Sequence, residues 1–243
     1  MISLAVETTT DRLSVAGRSV GRSGGQTVER VLEGARRHAS QLFPLLDAVL
    51  RELGGGLPDV TTLAVADGPG SFTGLRVGFS AAKALARVRP ELEVWTASTL
   101  LVRAAGAAPL PRARVLVVTS ALRGELYAAL YRLELPSGVE TLRAPGLATP
   151  EALQRERPDL LVADAPDKLV DRLADQFAVP LIRGAASLPS AVALLALVGV
   201  PGGAVRVRDL AAWEPSYGRP AEAQARWEAL HGRTLPDSSR VAG

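Results

Sequence analysis

The chain contains no cysteine, which excludes disulfides, thiolate nucleophiles and cysteine-ligated zinc or iron–sulfur centres. Histidine is almost as scarce: His38 and His231 are the only two in 243 residues, so a histidine-rich metal centre has almost nothing to be built from. Metal chemistry would have to rest on carboxylates. Lysine occurs only at Lys83 and Lys168. Nearly all the positive charge is therefore arginine, which coding bias in a GC-rich genome explains more readily than selection for phosphate forks. Long apolar runs are missing too. The most apolar stretch, Ala191 to Val200, falls far short of the roughly 20 residues that span a bilayer. Met1 to Glu7 lacks the basic region and apolar core of a signal peptide. A soluble, cytoplasmic protein without membrane attachment is expected.

What is present is ordinary globular composition: 47% hydrophobic residues, with 28 basic and 25 acidic side chains giving a net charge of +3. The length allows one large domain or two modest ones, each able to bury a core. A pI near 9.8 permits a basic nucleic-acid face without demanding one, because charges of both signs are interspersed.

Patterning along the chain predicts three strands, at Ile2 to Val6, around Leu13 to Ala16, and at Gln26 to Val31. A helix follows through Leu42, Leu45, Leu46, Val49, Leu50 and Leu53, with Ser40 as its cap and Gly54-Gly55-Gly56 as its end. Thr62 to Ala66 reads as a strand, Phe72 to Ala86 as a helix, Leu92 to Thr96 as a strand and Thr99 to Ala107 as a helix. The order then restarts. Val115 to Thr119, Glu125 to Leu133 and Val139 to Leu142 are predicted strands, Pro150 to Arg155 a helix, Leu160 to Ala163 a strand, Asp167 to Phe177 a helix, Val179 to Ile182 a strand and Pro189 to Leu197 a helix. Three strands followed by a helix–strand alternation, occurring twice, imply an α/β protein of two similar lobes. The expected divisions are 1–108, 109–200 and a C-terminal segment 201–243, with a short helix over Ala221 to Leu230 and a frayed end.

The most informative segment is Asp67-Gly68-Pro69-Gly70-Ser71-Phe72-Thr73-Gly74-Leu75-Arg76-Val77-Gly78, between a predicted buried strand and a helix. Gly68, Gly70 and Ser71 at a helix amino terminus allow an anion cradle. The preferred reading is packing: Gly68 and Gly70 make a tight turn, while Gly74 and Gly78, one helical turn apart, let another helix approach. No lysine follows, so this is not a P-loop, and no G-x-S-x-G elbow is present. Glu7, followed by Thr8, Thr9 and Thr10, could hold magnesium through water. Turn hydroxyls satisfying local amides are the preferred explanation. Ser120 stands at the corresponding strand end of the second repeat, where a metal-nucleotide site would need an acid. His38 reads as a polar residue at a helix start, and His231 as solvent-facing. Tyr217 and Arg219 suit anchoring of the C-terminal segment or phosphate binding.

On the segment Gly68 to Gly78 the sequence closely resembles the bacterial TsaB (YeaZ) family, the dimerisation subunit of the tRNA threonylcarbamoyladenosine machinery. Weaker matches run along the chain at Glu7-Thr8-Thr9-Thr10, at His38 to Pro44, around Gly124-Glu125-Leu126-Tyr127, and at Pro215-Ser216-Tyr217-Gly218-Arg219. The resemblance implies two duplicated lobes of the actin-like ATPase (ASKHA, ribonuclease H-like) fold. It also implies a non-catalytic role: pairing with the paralogue TsaD, which transfers threonylcarbamoyl to the adenosine beside the anticodon. The ATPase TsaE joins them, TsaC makes the activated intermediate, and tRNA is met through the complex. ATP and the metal are expected on partner subunits, with no cofactor bound by this chain. Helices matching 40–53 and 72–88 are expected to form the pairing surface, with Leu42, Leu45, Leu46, Phe72, Thr73, Gly74, Leu75, Arg76, Gly78 and Phe79 as its residues. The same surface makes a homodimer when the isolated subunit lacks its partner. Glu7, Thr8, Thr9, Thr10, Gly68, Gly70 and Ser71 are expected as a vestigial nucleotide or metal site. Glu7 stands where the family usually has Asp. Ser120 and Leu122 stand where Asp and Arg are common, and Gly218 replaces a common Leu. The competing class is a small-molecule kinase or ATPase with its own nucleotide between the lobes, which would need a metal-holding acid in each.

Overall fold

Two alternations of side-chain direction build the architecture, because successive residues of a strand face opposite sides of its sheet. The computed structural model describes residues 1–21, 24–34, 37–107, 112–121 and 125–218. Its first repeat runs β1 (Ile2–Glu7), β2 (Leu13–Gly21), β3 (Gly24–Leu32), α1 (His38–Glu52), β4 (Val60–Ala66), α2 (Phe72–Val88), β5 (Glu93–Ala97) and α3 (Thr99–Ala107). The second runs β6 (Ala113–Ser120), β7 (Leu126–Glu134), β8 (Gly138–Ala148), β9 (Leu160–Asp164), α4 (Asp167–Phe177), β10 (Leu181–Ile182) and α5 (Ala191–Leu197), and β11 (Val205–Arg206) closes the count.

The first sheet has the order β11-β5-β4-β1-β2-β3 and the second β10-β9-β6-β7-β8. In each, the first three strands of the repeat pair antiparallel and the repeat's later strands join in parallel on the other side, with β11 added antiparallel to β5 at the edge of the first sheet. This is the duplicated α/β architecture that the repeated strand and helix order predicts. In β1, Ile2, Leu4 and Val6 face the layer of α1 and α2, while Ala5 faces inward with Ala16 and Ala64. Those small side chains let α5 lie close against the sheet. In β6, Val115 and Val117 face inward and Leu116 and Val118 face the layer of α4. Helices α3 and α5 thus form a central layer packed between the sheets, and each fully buried Leu or Val there contributes about 1.5–3 kcal/mol.

The two repeats are also joined by polar contacts. At the start of α5 the Ala191 amide donates to Ser14 Oγ (2.9 Å) and the Val192 amide to Glu29 Oε1 (3.3 Å), so β2 and β3 hold a helix of the second repeat. A carboxylate at a helix amino terminus also meets the positive end of the helix dipole, which is favourable.

Several local expectations are corrected. Helix α1 starts at His38, so Ser40 lies inside it and its hydroxyl donates to the Arg37 carbonyl (3.1 Å) instead of capping. The helix expected over Pro150 to Arg155 is a single 3-10 turn, Glu151–Leu153, with only Leu153 buried. Pro158 disfavours helix at the residue before it, and one apolar contact does not stabilise a longer one. Strand β8 runs well past Leu142 to Ala148, tolerating Pro145 and Gly146 because it is an edge strand with register shifts. The boundary at 109, Leu122, Gly124, Arg219, His231 and the helix expected over Ala221 to Leu230 lie outside the described residues.

Candidate functional site

The glycine-rich turn closes on its own chain. The Ser71 amide donates to the Thr9 carbonyl (2.7 Å), and Ser71 Oγ accepts from the Gly74 amide (3.3 Å) as the cap of α2. A Cβ on Gly74 would overlap the Thr8 carbonyl oxygen, one on Gly70 the Thr9 carbonyl, and one on Gly68, at φ +112°, the Ser216 carbonyl. A Cβ on Gly78 would lie 2.7 Å from Thr8 Oγ1. The partner approached by Gly74 and Gly78 is therefore the end of β1, which corrects the expectation of a second helix there. Two amides that a phosphate cradle would use are already committed within the chain.

Glu7 is fully buried, and its Oε1 accepts from the Thr9 amide (2.6 Å) and hydroxyl (2.5 Å). Burial raises its carboxyl above the ordinary range, with the Thr9 bonds opposing. Its Oε2 and Thr8 Oγ1 have no hydrogen-bond partner among the described residues. Neither residue lines the inter-lobe cleft, whereas Thr9, Thr10, Gly70 and Ser71 do.

That cleft, about 370 Å³, is closed at its base by a residue the sequence reading missed. Arg103 of α3 is only 4% exposed; it donates to Asp164 Oδ2 of β9 (2.7 Å) and to the Ser187 carbonyl (2.8 Å), tying the two sheets together. A lone arginine in an otherwise apolar helix is the signal that would have found it. A magnesium-bound nucleotide needs carboxylates turned into such a cleft. Here Glu7 is folded back on Thr9, Asp164 is committed to Arg103, and the end of β6 offers Ser120. Among the described residues no cluster of three acids or histidines is arranged to hold a metal. The donor set does not fit that group.

The second candidate lies on the opposite side of α2. Between α1 and α2 runs a groove of about 430 Å³ lined by Ala39, Leu42, Phe43, Phe72, Thr73, Arg76, Val77, Ser80, Ala81 and Ala84, with the buried Leu42 in its floor. Phe43 is 50% exposed and Phe72 55% exposed, so two aromatic rings stand in water on one face. Exposed apolar patches of this kind are candidate interaction surfaces. Of the residues expected to form it, Phe72, Thr73 and Arg76 are exposed and Leu45 is half-buried. Leu42, Leu46, Leu75 and Phe79 are buried in the core beneath, with Gly74 and Gly78, because they occupy the stripes that α1 and α2 turn toward the sheet. Phe43, next to that stripe on α1, was missed. His38 is buried at the start of α1, with Nε2 unpartnered among the described residues.

The C-terminal segment holds this face from behind. Trp213 stacks on Phe79 (centroids 3.8 Å apart), Tyr217 lies against Phe72 (4.9 Å), and the Ser216 amide donates to the Asp67 carbonyl (2.7 Å). Tyr127 of β7 donates to the Tyr217 carbonyl at 3.5 Å, so the segment touches both repeats. Burial pushes the Asp67 carboxyl up to about 6.

Comparison with known proteins places this geometry. Residues 32–149 match the family model for TsaD, tRNA N6-adenosine threonylcarbamoyltransferase. The tRNA threonylcarbamoyladenosine biosynthesis protein TsaB of Escherichia coli K12 is 38% identical over 131 residues, covering 53% of this chain and 54% of that protein. The chain spans about half the length of the curated TsaB relatives it matches. An uncharacterized protein of Mycobacterium tuberculosis is 33% identical over 171 residues, 70% of this chain and 72% of its own. The solved structure of YeaZ from Pseudomonas aeruginosa superposes with a TM-score of 0.67 at 26% identity, covering 82% of this chain and 92% of that one. A second Pseudomonas aeruginosa structure, described as similar to peptidase YEAZ, gives 0.72 at 25% identity over 90% of this chain and 99% of its own.

Proposed function

We propose, on the likeness to TsaB and YeaZ proteins, that the chain is a TsaB (YeaZ) family member and a non-catalytic subunit of the machinery that installs threonylcarbamoyl on the adenosine beside the anticodon of tRNA. It works by docking a TsaD-type catalytic paralogue in the cytoplasm. The observation that carries this reading is the groove between α1 and α2, with Phe43 and Phe72 exposed at its mouth. An interface core is built from desolvated aromatic and apolar groups ringed by polar ones. Phe43, Phe72, Thr73 and Arg76 are the contact residues, and Leu42, Leu46, Leu75 and Phe79 are the packing beneath that fixes them. The paralogous surface of a partner of similar fold supplies the other half, TsaE joins the pair, and a second copy of this chain occupies the groove when no partner is present. The proposed division is into lobes 1–108 and 109–200 and a C-terminal segment 201–243, in which Trp213, Ser216 and Tyr217 brace the docking face.

The inter-lobe cleft supports a non-catalytic role, since the acid that would hold magnesium is turned away from it and the opposite strand end carries serine. Reconstituted modification of tRNA with cognate partners tests the proposal. Activity that requires this chain, and persists when Glu7→Gln is substituted, is expected. Full activity without it, or abolition by Glu7→Gln in a folded protein, refutes the proposal. Among the described residues no helix is long and apolar enough to cross a membrane.

A further inference from the structure

We propose that the outer ridge of α2 is a charge filter: it favours a partner whose docking surface carries carboxylates, and it weakens self-pairing through the same groove. The inference rests on the docking role of that groove.

Helix α2 contains Arg76, Lys83 and Arg87 and no acidic residue. The three are seven and eleven positions apart, close to two and three full turns at about 3.6 residues per turn, so they fall on one line along the helix. Arg76 is the member inside the groove. Its guanidinium sits over the Phe72 ring, 5.3 Å from the centroid, and Tyr217 backs the same ring. The stack Tyr217–Phe72–Arg76 holds a cation at the mouth of an otherwise apolar groove. Lys83 has Glu214 at 3.6 Å, while Arg76 and Arg87 make no ion pair among the described residues. The facing helix offers no compensation, because Asp47 of α1 is bonded to Arg51 and Glu52 to Arg30.

Docking removes water from Arg76, and a desolvated cation is tolerated only where a carboxylate meets it. In a two-fold pair of identical chains the same patch faces itself, so side chains near the axis meet their own copies. Arg76, the basic residue of α2 that lines the groove, then meets the cation of the other copy. A paralogue carrying acids at the matching positions meets no such repulsion. The two equilibria therefore respond to salt in opposite directions, since screening weakens attraction and repulsion alike.

The test measures two equilibria by sedimentation and calorimetry at about 50 and about 500 mM salt: self-association of the full chain, and its binding to the purified cognate TsaD-type subunit. Wild type, Arg76→Gln, Arg76→Glu and Phe43→Ala are compared. The filter predicts that partner binding weakens with salt and falls about tenfold or more in Arg76→Glu. Self-association through the groove, weaker than partner binding in the wild type, is predicted to strengthen with salt and in Arg76→Gln. Arg76 is exposed, so melting temperature should be unchanged in its variants. Partner binding that is indifferent to Arg76 but lost in Phe43→Ala overturns the filter and leaves docking standing. Self-association that weakens with salt and in Arg76→Gln also overturns it. Partner binding that survives Phe43→Ala and both Arg76 substitutions removes the docking reading and the filter together.

Discussion

Gly74→Ala separates a glycine kept for a partner from a glycine kept for the fold. In a helix, alanine is ordinarily favoured over glycine by up to about 1 kcal/mol, so a surface glycine facing a partner should give a more stable chain that pairs less well. The structure demands the reverse. The added Cβ would overlap the Thr8 carbonyl oxygen. That carbonyl cannot swing aside, because the adjoining Thr9 is fixed by its amide and hydroxyl on Glu7 and by its carbonyl on the Ser71 amide. Relieving the overlap means lifting the start of α2, at an overpacking cost of about 1–3 kcal/mol, and weakening the Ser71 cap, worth about 1 kcal/mol. Set against the propensity gain of up to about 1 kcal/mol, the net loss is about 1–3 kcal/mol, a fall in melting temperature of roughly 2–12 °C for a chain of this size. Gly78→Ala should cost less, about 1 kcal/mol. Its Cβ meets the rotatable Thr8 hydroxyl at 2.7 Å and Val65 Cγ1 at 3.3 Å. Urea titration and thermal melting of both variants measure this. A Gly74→Ala protein as stable as wild type, or more so, would refute the reasoning.

Phe43→Ala removes an exposed ring and should change chain stability by less than about 0.5 kcal/mol, whereas Phe72→Ala also loses the Tyr217 contact and should cost about 0.5–1.5 kcal/mol; each should weaken partner binding about tenfold or more, read by calorimetry. Asp164→Asn leaves Arg103 buried without its counterion and should destabilise the chain by about 1–3 kcal/mol in urea titrations, whereas an unchanged midpoint would mean the ion pair does not join the sheets. Stability should also depend on pH through Glu7 and Asp67, whose folded-state carboxyls are both raised by burial. A raised carboxyl binds its proton more tightly in the folded state. Its contribution is therefore complete below the unfolded value of 3.8 for Asp67 and is lost as pH rises through its folded value of about 6. Melting temperature should fall between pH 5 and 7.5 by less in Asp67→Asn than in wild type; equal falls would contradict the assignment.

The sequence carried the duplication well, because repeated hydrophobic periods survive without knowledge of contacts: the helices Thr99–Ala107 and Asp167–Phe177 form with the bounds their patterns predict. Directions of side chains were less legible. Leu42 and Phe43, or Phe72 and Leu75, are equally apolar neighbours, and only the position of the sheet decides which is core and which stands in water. The two glycines of α2 were read against an imagined helix because the strand end they touch is some 65 residues earlier in the chain. Arg103 was legible in principle as the one charge in an apolar helix, but its acid lies in the other repeat. The bracing of Phe72 by Tyr217 was hidden for the same reason: ring contacts between distant segments leave no periodic trace.

Titration of the purified chain into its cognate TsaD-type subunit, with the Phe43→Ala/Phe72→Ala double variant run beside the wild type, tests the docking claim most directly. Saturable binding by the wild type is expected, with its loss in a double variant that stays folded and melts within about 6 °C of the wild type. Equal binding by the two proteins, or no binding by the wild type, would contradict it.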